Sequence, residues 1–173
     1  MNDNSHEWEH GVAGYVEAVG GDVDLHVRTE LRHLGVPARF FYYFQAAEGL
    51  NLIEEGPGVG LVHFGFTRDH RKVCISPTDL SIWEVAENPP IGRSLINSSL
   101  EGFLKFMAIC EKRISSQQCV DEEEEELGEE CIECWLKVAN DIRTRMAKGD
   151  SSALFDGSYW SDFLSDVENG DYG

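Results

Sequence analysis

Four short stretches between residues 40 and 86 constrain the fold more than anything else in the chain: FFYYF at 40–44, VGLVHFGF at 59–66, KVCIS at 72–76 and SIWEVA at 81–86. Each is aromatic or β-branched and is set off by Gly, Pro, Asp or Asn, the composition of strands. The intervals between them are too short for crossover helices, so neighbouring strands must run antiparallel, as a meander.

Helical patterns flank this block. Leu31 and Leu34 are helix-spaced ahead of Gly35 and Pro37, which predicts a short helix over about 25–34. In INSSLEGFL, Ser98 followed three residues later by Glu101 has the form of a capping box, and Leu100, Phe103, Leu104, Met107, Cys110 and Ile114 fall on one stripe. A second long helix is expected from about Asp121 to Lys148, with Leu127, Cys131, Cys134, Trp135, Val138, Ile142 and Met146 inward and Gly149 as its stop. Acids crowd its first turns and Arg143, Arg145 and Lys148 its last, as the helix dipole favours. SYWSDFLSDVENG closes the chain with Trp160, Phe163, Leu164 and Val167 at i, i+3, i+4 and i+7. The expected fold is therefore a single α+β domain, a mostly antiparallel sheet packed against helices, over residues 22–173. Residues 1–21, with six Gly or Asn, are expected to form a loosely held arm.

Length and charge narrow the function. A chain of 173 residues supports one core. The N-terminus MNDNSHEWEH has neither the basic start nor the apolar stretch of a secretory signal, and no apolar run approaches the roughly 18 residues of a membrane span. Five scattered cysteines fit reduced thiols, so a cytoplasmic protein without disulfides is expected. A net charge of −18 repels nucleic-acid phosphates and anionic membranes, which argues against direct nucleic-acid or membrane binding. Residues 117–173 hold 16 acids and 4 bases, a net of −12, so electrostatic function should sit in this last third.

Several motifs invite a chemical reading. HEWEH at 6–10 spells a zinc-protease pattern, in which His6 and His10 would hold zinc and Glu7 would activate water. The pattern needs a long packed helix, whereas here Gly11 and Gly14 follow and no third ligand is marked. A zinc hydrolase is thus a remote alternative. CIEC at 131–134 lies on the apolar face of a helix and has no second C-x-x-C, so buried thiols are expected there. GPGVG at 56–60 lacks the G-x-G-x-x-G order and precedes a strand, so it reads as a turn. Ser98 and Ser99 have no G-x-S-x-G around them, and capping accounts for them. No catalytic residue, metal site or cofactor is expected. The run DEEEEE at 121–126 is either a solvated helix start or a docking surface for a basic partner.

LRHLGVPARF at 31–40, HFGFTRDHRKVCISPTDLSIWEV at 63–85, IGRSLINSSLEGFLKFM at 91–107 and YWSDFLSDVENGDYG at 159–173 occur in the order of the SUKH superfamily. They are most similar to the SUKH-4 immunity proteins of bacterial polymorphic toxin systems. The resemblance covers roughly residues 25–110 and 150–173, leaving out HEWEH and the acidic block. It implies an α+β fold and a non-enzymatic protein that binds and blocks a cognate toxin domain, often a nuclease or a nucleic-acid deaminase. The alternative within the superfamily is a regulatory scaffold that binds a cellular partner, as fungal relatives are described. The residues expected to meet a basic toxin first are Glu122, Glu123, Glu124, Glu125, Glu126, Glu129 and Glu130.

Overall fold

The computed structural model describes residues 7–15, 24–54, 60–86, 92–117 and 129–172, with only the backbone of Glu54 and of residues 129–131. Six strands form one sheet: β1 (Arg39–Phe40), β2 (Phe44–Glu54), β3 (Gly60–Thr67), β4 (Lys72–Ile75), β5 (Ile82–Ala86) and β6 (Gly92–Asn97). Their order in space is their order in sequence, and every pair is antiparallel. The short intervals had left a meander as the only connection, and that is what forms.

Four helices accompany the sheet: α1 (Leu25–Leu34), α2 (Leu100–Ser115), α3 (Glu129–Gly149) and α4 (Tyr159–Glu168). Asp24 caps α1 by accepting from the His26 amide, and Gly35 ends it in the left-handed conformation (φ 70°), where a residue without a β-carbon is favoured. The predicted core stripe of α2 is buried throughout, as are Trp160, Phe163, Leu164 and Val167 of α4. On α3, Trp135, Val138, Ile142 and Met146 are buried, while Cys134 is half-exposed.

Trp160 sits at the centre of the core. Its ring meets Phe40 at 6.0 Å, Phe103 at 6.0 Å and Phe106 at 5.6 Å between centroids, joining β1, α2 and α4. Phe103 also meets Phe44 at 5.7 Å and Phe64 at 6.2 Å, so one face of the sheet closes on the helices through aromatic rings. Such ring pairs add about 0.5–1.5 kcal/mol each beyond burial. Phe44 fits because Gly65 on β3 has no side chain: a β-carbon there would lie 2.2 Å from the Phe44 ring.

Two expectations need correction. FFYYF is not a strand: β1 ends at Phe40, residues 41–43 turn, and β2 starts at Phe44. Phe41 takes the left-handed conformation (φ 45°), and its ring lies against Phe40 and Phe163 at 4.9 and 5.8 Å. Tertiary packing therefore overrides the local strand preference. Second, the cap of α2 is Ser99, whose hydroxyl accepts from the Gly102 amide at 3.1 Å. Ser98 instead gives its hydroxyl and its amide to Asp150. α3 is described from Glu129, and the helix start expected near Asp121, with Leu127, lies outside the described residues.

Within the first 21 residues, part of the chain is tied to the domain. The Ala13 amide donates to Val36 O at 2.8 Å, the Ala38 amide to Gly11 O at 2.9 Å, and the Trp8 indole to Gly35 O at 2.7 Å.

Candidate partner-binding surface

Two of the seven glutamates expected to meet a partner fall on the described part of α3. Glu129 and Glu130 are the first described residues of α3, whereas Glu122, Glu123, Glu124, Glu125 and Glu126 lie outside the described residues. One turn on, Glu133 accepts from Lys137 at 2.9 Å, an exposed i,i+4 pair.

Ion pairs at its flanks fix the orientation of α3. Arg113 of α2 and Arg145 each donate to Asp141 at 3.1 Å, and those hydrogen bonds hold the Asp141 carboxyl below its ordinary pKa. On the other flank, Arg143 donates to Glu168 of α4 at 2.8 Å.

Beyond α4 the chain turns back over this region. Tyr172 packs on Trp135 at 5.0 Å and on Phe41 at 5.5 Å, and the Tyr42 hydroxyl donates to the Asp171 carbonyl. Beside it, Asp166 accepts from both the Tyr43 hydroxyl and the Arg68 guanidinium, and Arg68 lies 4.6 Å from the Tyr43 ring centroid. Burial, reinforced by Asp166, raises the Tyr43 pKa far above its ordinary value, so the phenol stays a donor.

A cleft of about 620 Å³ opens next to this cluster, lined among others by Tyr42, Gln45, Glu48, His63, Phe66 and Arg68. Its wall comes from a β2–β3 irregularity: Ala46 pairs with Gly65 and Asn51 with His63, so β2 carries surplus residues that bow outward.

A second polar cluster is structural and was not visible in the sequence. Asp150, just after α3, accepts from the Ser98 amide (2.8 Å), the Ser98 hydroxyl (2.9 Å) and Asn97 Nδ2 (3.3 Å). Asn97 Oδ1 in turn accepts from the Trp160 indole at 2.7 Å. Burial would raise the Asp150 carboxyl, but hydrogen bonds from Ser152, Ser98 and Asn97 outweigh it and leave its pKa lowered.

The motifs of enzymatic appearance do not assemble. Glu7 and Trp8 lie outside regular structure and Glu9 and His10 form a turn, so the helix that a zinc-binding H-E-x-x-H requires is not there; His6 lies outside the described residues. Among the described residues, no group of three or more His, Cys, Asp or Glu is placed to hold a metal ion. Cys110 is fully buried, and burial raises its thiol well above the ordinary value, away from nucleophilic reactivity. The side chain of Cys131, and all of GPGVG except Gly60 at the start of β3, lie outside the described residues. No helix among the described residues is long and apolar enough to cross a membrane.

The model of the SUKH-4 immunity protein family matches residues 17–166. The chain belongs to this family. No curated protein and no solved structure matches it. The SUKH-4 match runs through the acidic block, which the sequence resemblance had left out, and begins after HEWEH. Membership makes the protein an immunity protein, a toxin inhibitor by class, in a family that is generally non-enzymatic and that binds cognate toxins.

Proposed function

We propose that the protein neutralises a toxin domain of nuclease or nucleic-acid deaminase type by covering its basic active-site groove, acting in the cytoplasm where such a toxin finds its substrate. The observation that carries this reading is the distribution of charge: −18 over the chain, and 16 acids against 4 bases in residues 117–173. A toxin that holds a phosphate backbone needs a cationic groove, and a dense anionic surface on a toxin-binding protein competes for it. Glu122 to Glu126 with Glu129 and Glu130 make first contact in this proposal. They steer the toxin over a distance comparable to the Debye length, roughly 8 Å at physiological salt.

The test changes those seven glutamates to glutamine and follows association with the toxin domain encoded beside this gene. The expected result is an association rate at least about tenfold lower at low salt, with a flatter salt dependence. An unchanged rate with unchanged salt dependence overturns the steering role. Failure of the parent protein to bind that domain, or to restore growth when co-expressed with it, overturns the whole proposal.

A further inference from the structure

Among the described residues, helix lengths leave part of α3 without a neighbouring helix on one flank. At 1.5 Å per residue, the 21 residues of α3 span roughly 31 Å and the 10 residues of α4 only roughly 15 Å. The two are registered by Arg143, which donates to Glu168, the last residue of α4. Leu136 stands two turns before Arg143, and Ile132 one turn before Leu136, so all three share the flank of α3 that looks toward α4. α4 has already ended where Leu136 and Ile132 stand, and they remain 40% and 43% exposed.

Further aromatic residues gather at Trp135, the residue before Leu136. Tyr172, half-buried, lies on Trp135 of the same helix and on Phe41, which is followed by the half-buried Tyr42 at the rim of the cleft. Phe41 is held at φ 45°, a conformation unfavourable for a bulky residue. Of the seven large hydrophobic residues exposed among the described ones, Ile132 and Leu136 are the pair that adjoins on one helix face. Isolated exposed hydrophobes are ordinary, whereas a contiguous patch ringed by polar groups marks an interaction site.

The charge around the patch selects its occupant. Arg143, Lys137 and Arg68 are each matched by a carboxylate, Glu168, Glu133 and Asp166, and the surrounding segment carries acids in fourfold excess over bases. A second copy of the chain would bring the same acids face to face, which like-charge repulsion opposes.

We infer that Ile132 and Leu136, with Tyr172, Phe41 and Tyr42 beside them, form the apolar centre of the contact with a partner protein that presents an apolar patch inside a basic rim. This inference rests on the toxin-binding reading and gives it an anchor. The acids bring the partner in, and the patch, dehydrated on contact, holds it.

The experiment measures binding of an inactive variant of the adjacent toxin domain to the full chain, comparing the parent, the double variant Ile132→Ser/Leu136→Ser, and Leu25→Ser as an exposed apolar control on α1. The double variant is expected to bind about 100-fold more weakly, mainly through faster dissociation, while the control binds as the parent does. Thermal unfolding is run alongside, and a folded double variant with parental affinity overturns the inference. If the double variant does not fold, Ile132→Lys and Leu136→Lys are made singly, and parental dissociation rates in both overturn it. Loss of self-association by the double variant with unchanged toxin binding would show that the patch serves a second copy instead, and also overturns it. If the parent itself does not bind the domain, the toxin reading fails, a result distinct from all of these.

Discussion

Replacing Asn97 by Leu tests whether the buried polar chain from Trp160 to Asp150 holds the helices to the sheet. Asn97 and Trp160 are both fully buried, and the indole N–H has Asn97 Oδ1, at 2.7 Å, as its hydrogen-bond acceptor. Leucine keeps the heavy-atom branching of asparagine, so no cavity forms, but it is bulkier, and the polar cost worked out here is a lower bound to which overpacking adds. Leaving the indole donor without an acceptor inside the core costs about 1–3 kcal/mol. The bond from Asn97 Nδ2 to Asp150, at 3.3 Å, contributes toward the low end for a charged acceptor, about 1.5 kcal/mol, because Asp150 keeps both bonds from Ser98. The sum is about 3 kcal/mol, and at about 2–4 °C per kcal/mol for a chain of this size the midpoint of thermal unfolding should fall by roughly 6–12 °C. Urea unfolding gives the free energy directly, as a lower midpoint with an unchanged slope. A loss below about 0.5 kcal/mol, the scatter of ordinary surface substitutions, would refute the claim that this chain of bonds stabilises the fold.

Two further predictions follow from particular atoms. Asp150 has a folded-state pKa below its unfolded value of about 3.9, so its contribution is complete above that value and is lost as pH falls through the folded pKa. Asp150→Asn should therefore be less stable than the parent at pH 6, by a gap that closes below about pH 4; a gap that widens on acidification refutes the assignment. Gly65→Ala places a β-carbon 2.2 Å from Phe44 Cε2 and 3.0 Å from Gln45 O. Phe44 is enclosed and the second contact is backbone, so the cost should reach the upper part of the overpacking range, about 3 kcal/mol by urea unfolding.

Sequence periodicity revealed what the core repeats and missed what it decides by distant contact. The stripes of α2 and α4 were legible because each buries one face against a continuous core, which enforces the 3.6-residue period. β2 was hidden because FQAAEGLNLIE mixes Gly, Asn and Glu into a strand that bows away from β3, so its alternation is broken within the strand itself. β6 was hidden because GRSLIN runs almost directly into α2, and its Leu95 and Ile96 read as the approach to a helix. Either of two adjacent serines could cap α2. The choice falls to Ser99 because Ser98 is engaged by Asp150, 52 residues away, a partner no local pattern contains. At the candidate site the acids were legible as composition. Ile132 and Leu136 were not, since an apolar residue at helical spacing looks the same whether a neighbour covers it or not. The available signal was a mismatch of lengths, a long α3 beside a short terminal helix.

That mismatch bears on what the glutamates do. Acids toward the N-terminal end of a helix are favourable for the helix itself, by about 0.3–1 kcal/mol each in an exposed first turn, so acids crowded at this end of α3 need no partner to explain them. Leu136 and Ile132 have no such internal use: burying them would be favourable, and α4 would have to run on by about three turns to come alongside both. A chain that ends α4 at Glu168 and leaves Leu136 and Ile132 40% and 43% exposed forgoes that stabilisation. The apolar overhang, more than the charge beside it, is therefore the feature that folding alone does not account for, and it divides the proposed binding into separately measurable parts. Long-range attraction acts before contact and fades with salt, whereas burial of Ile132 and Leu136 acts after contact and depends little on salt. A toxin complex that forms more slowly as salt rises, yet dissociates at nearly the same rate, is what this division of roles requires.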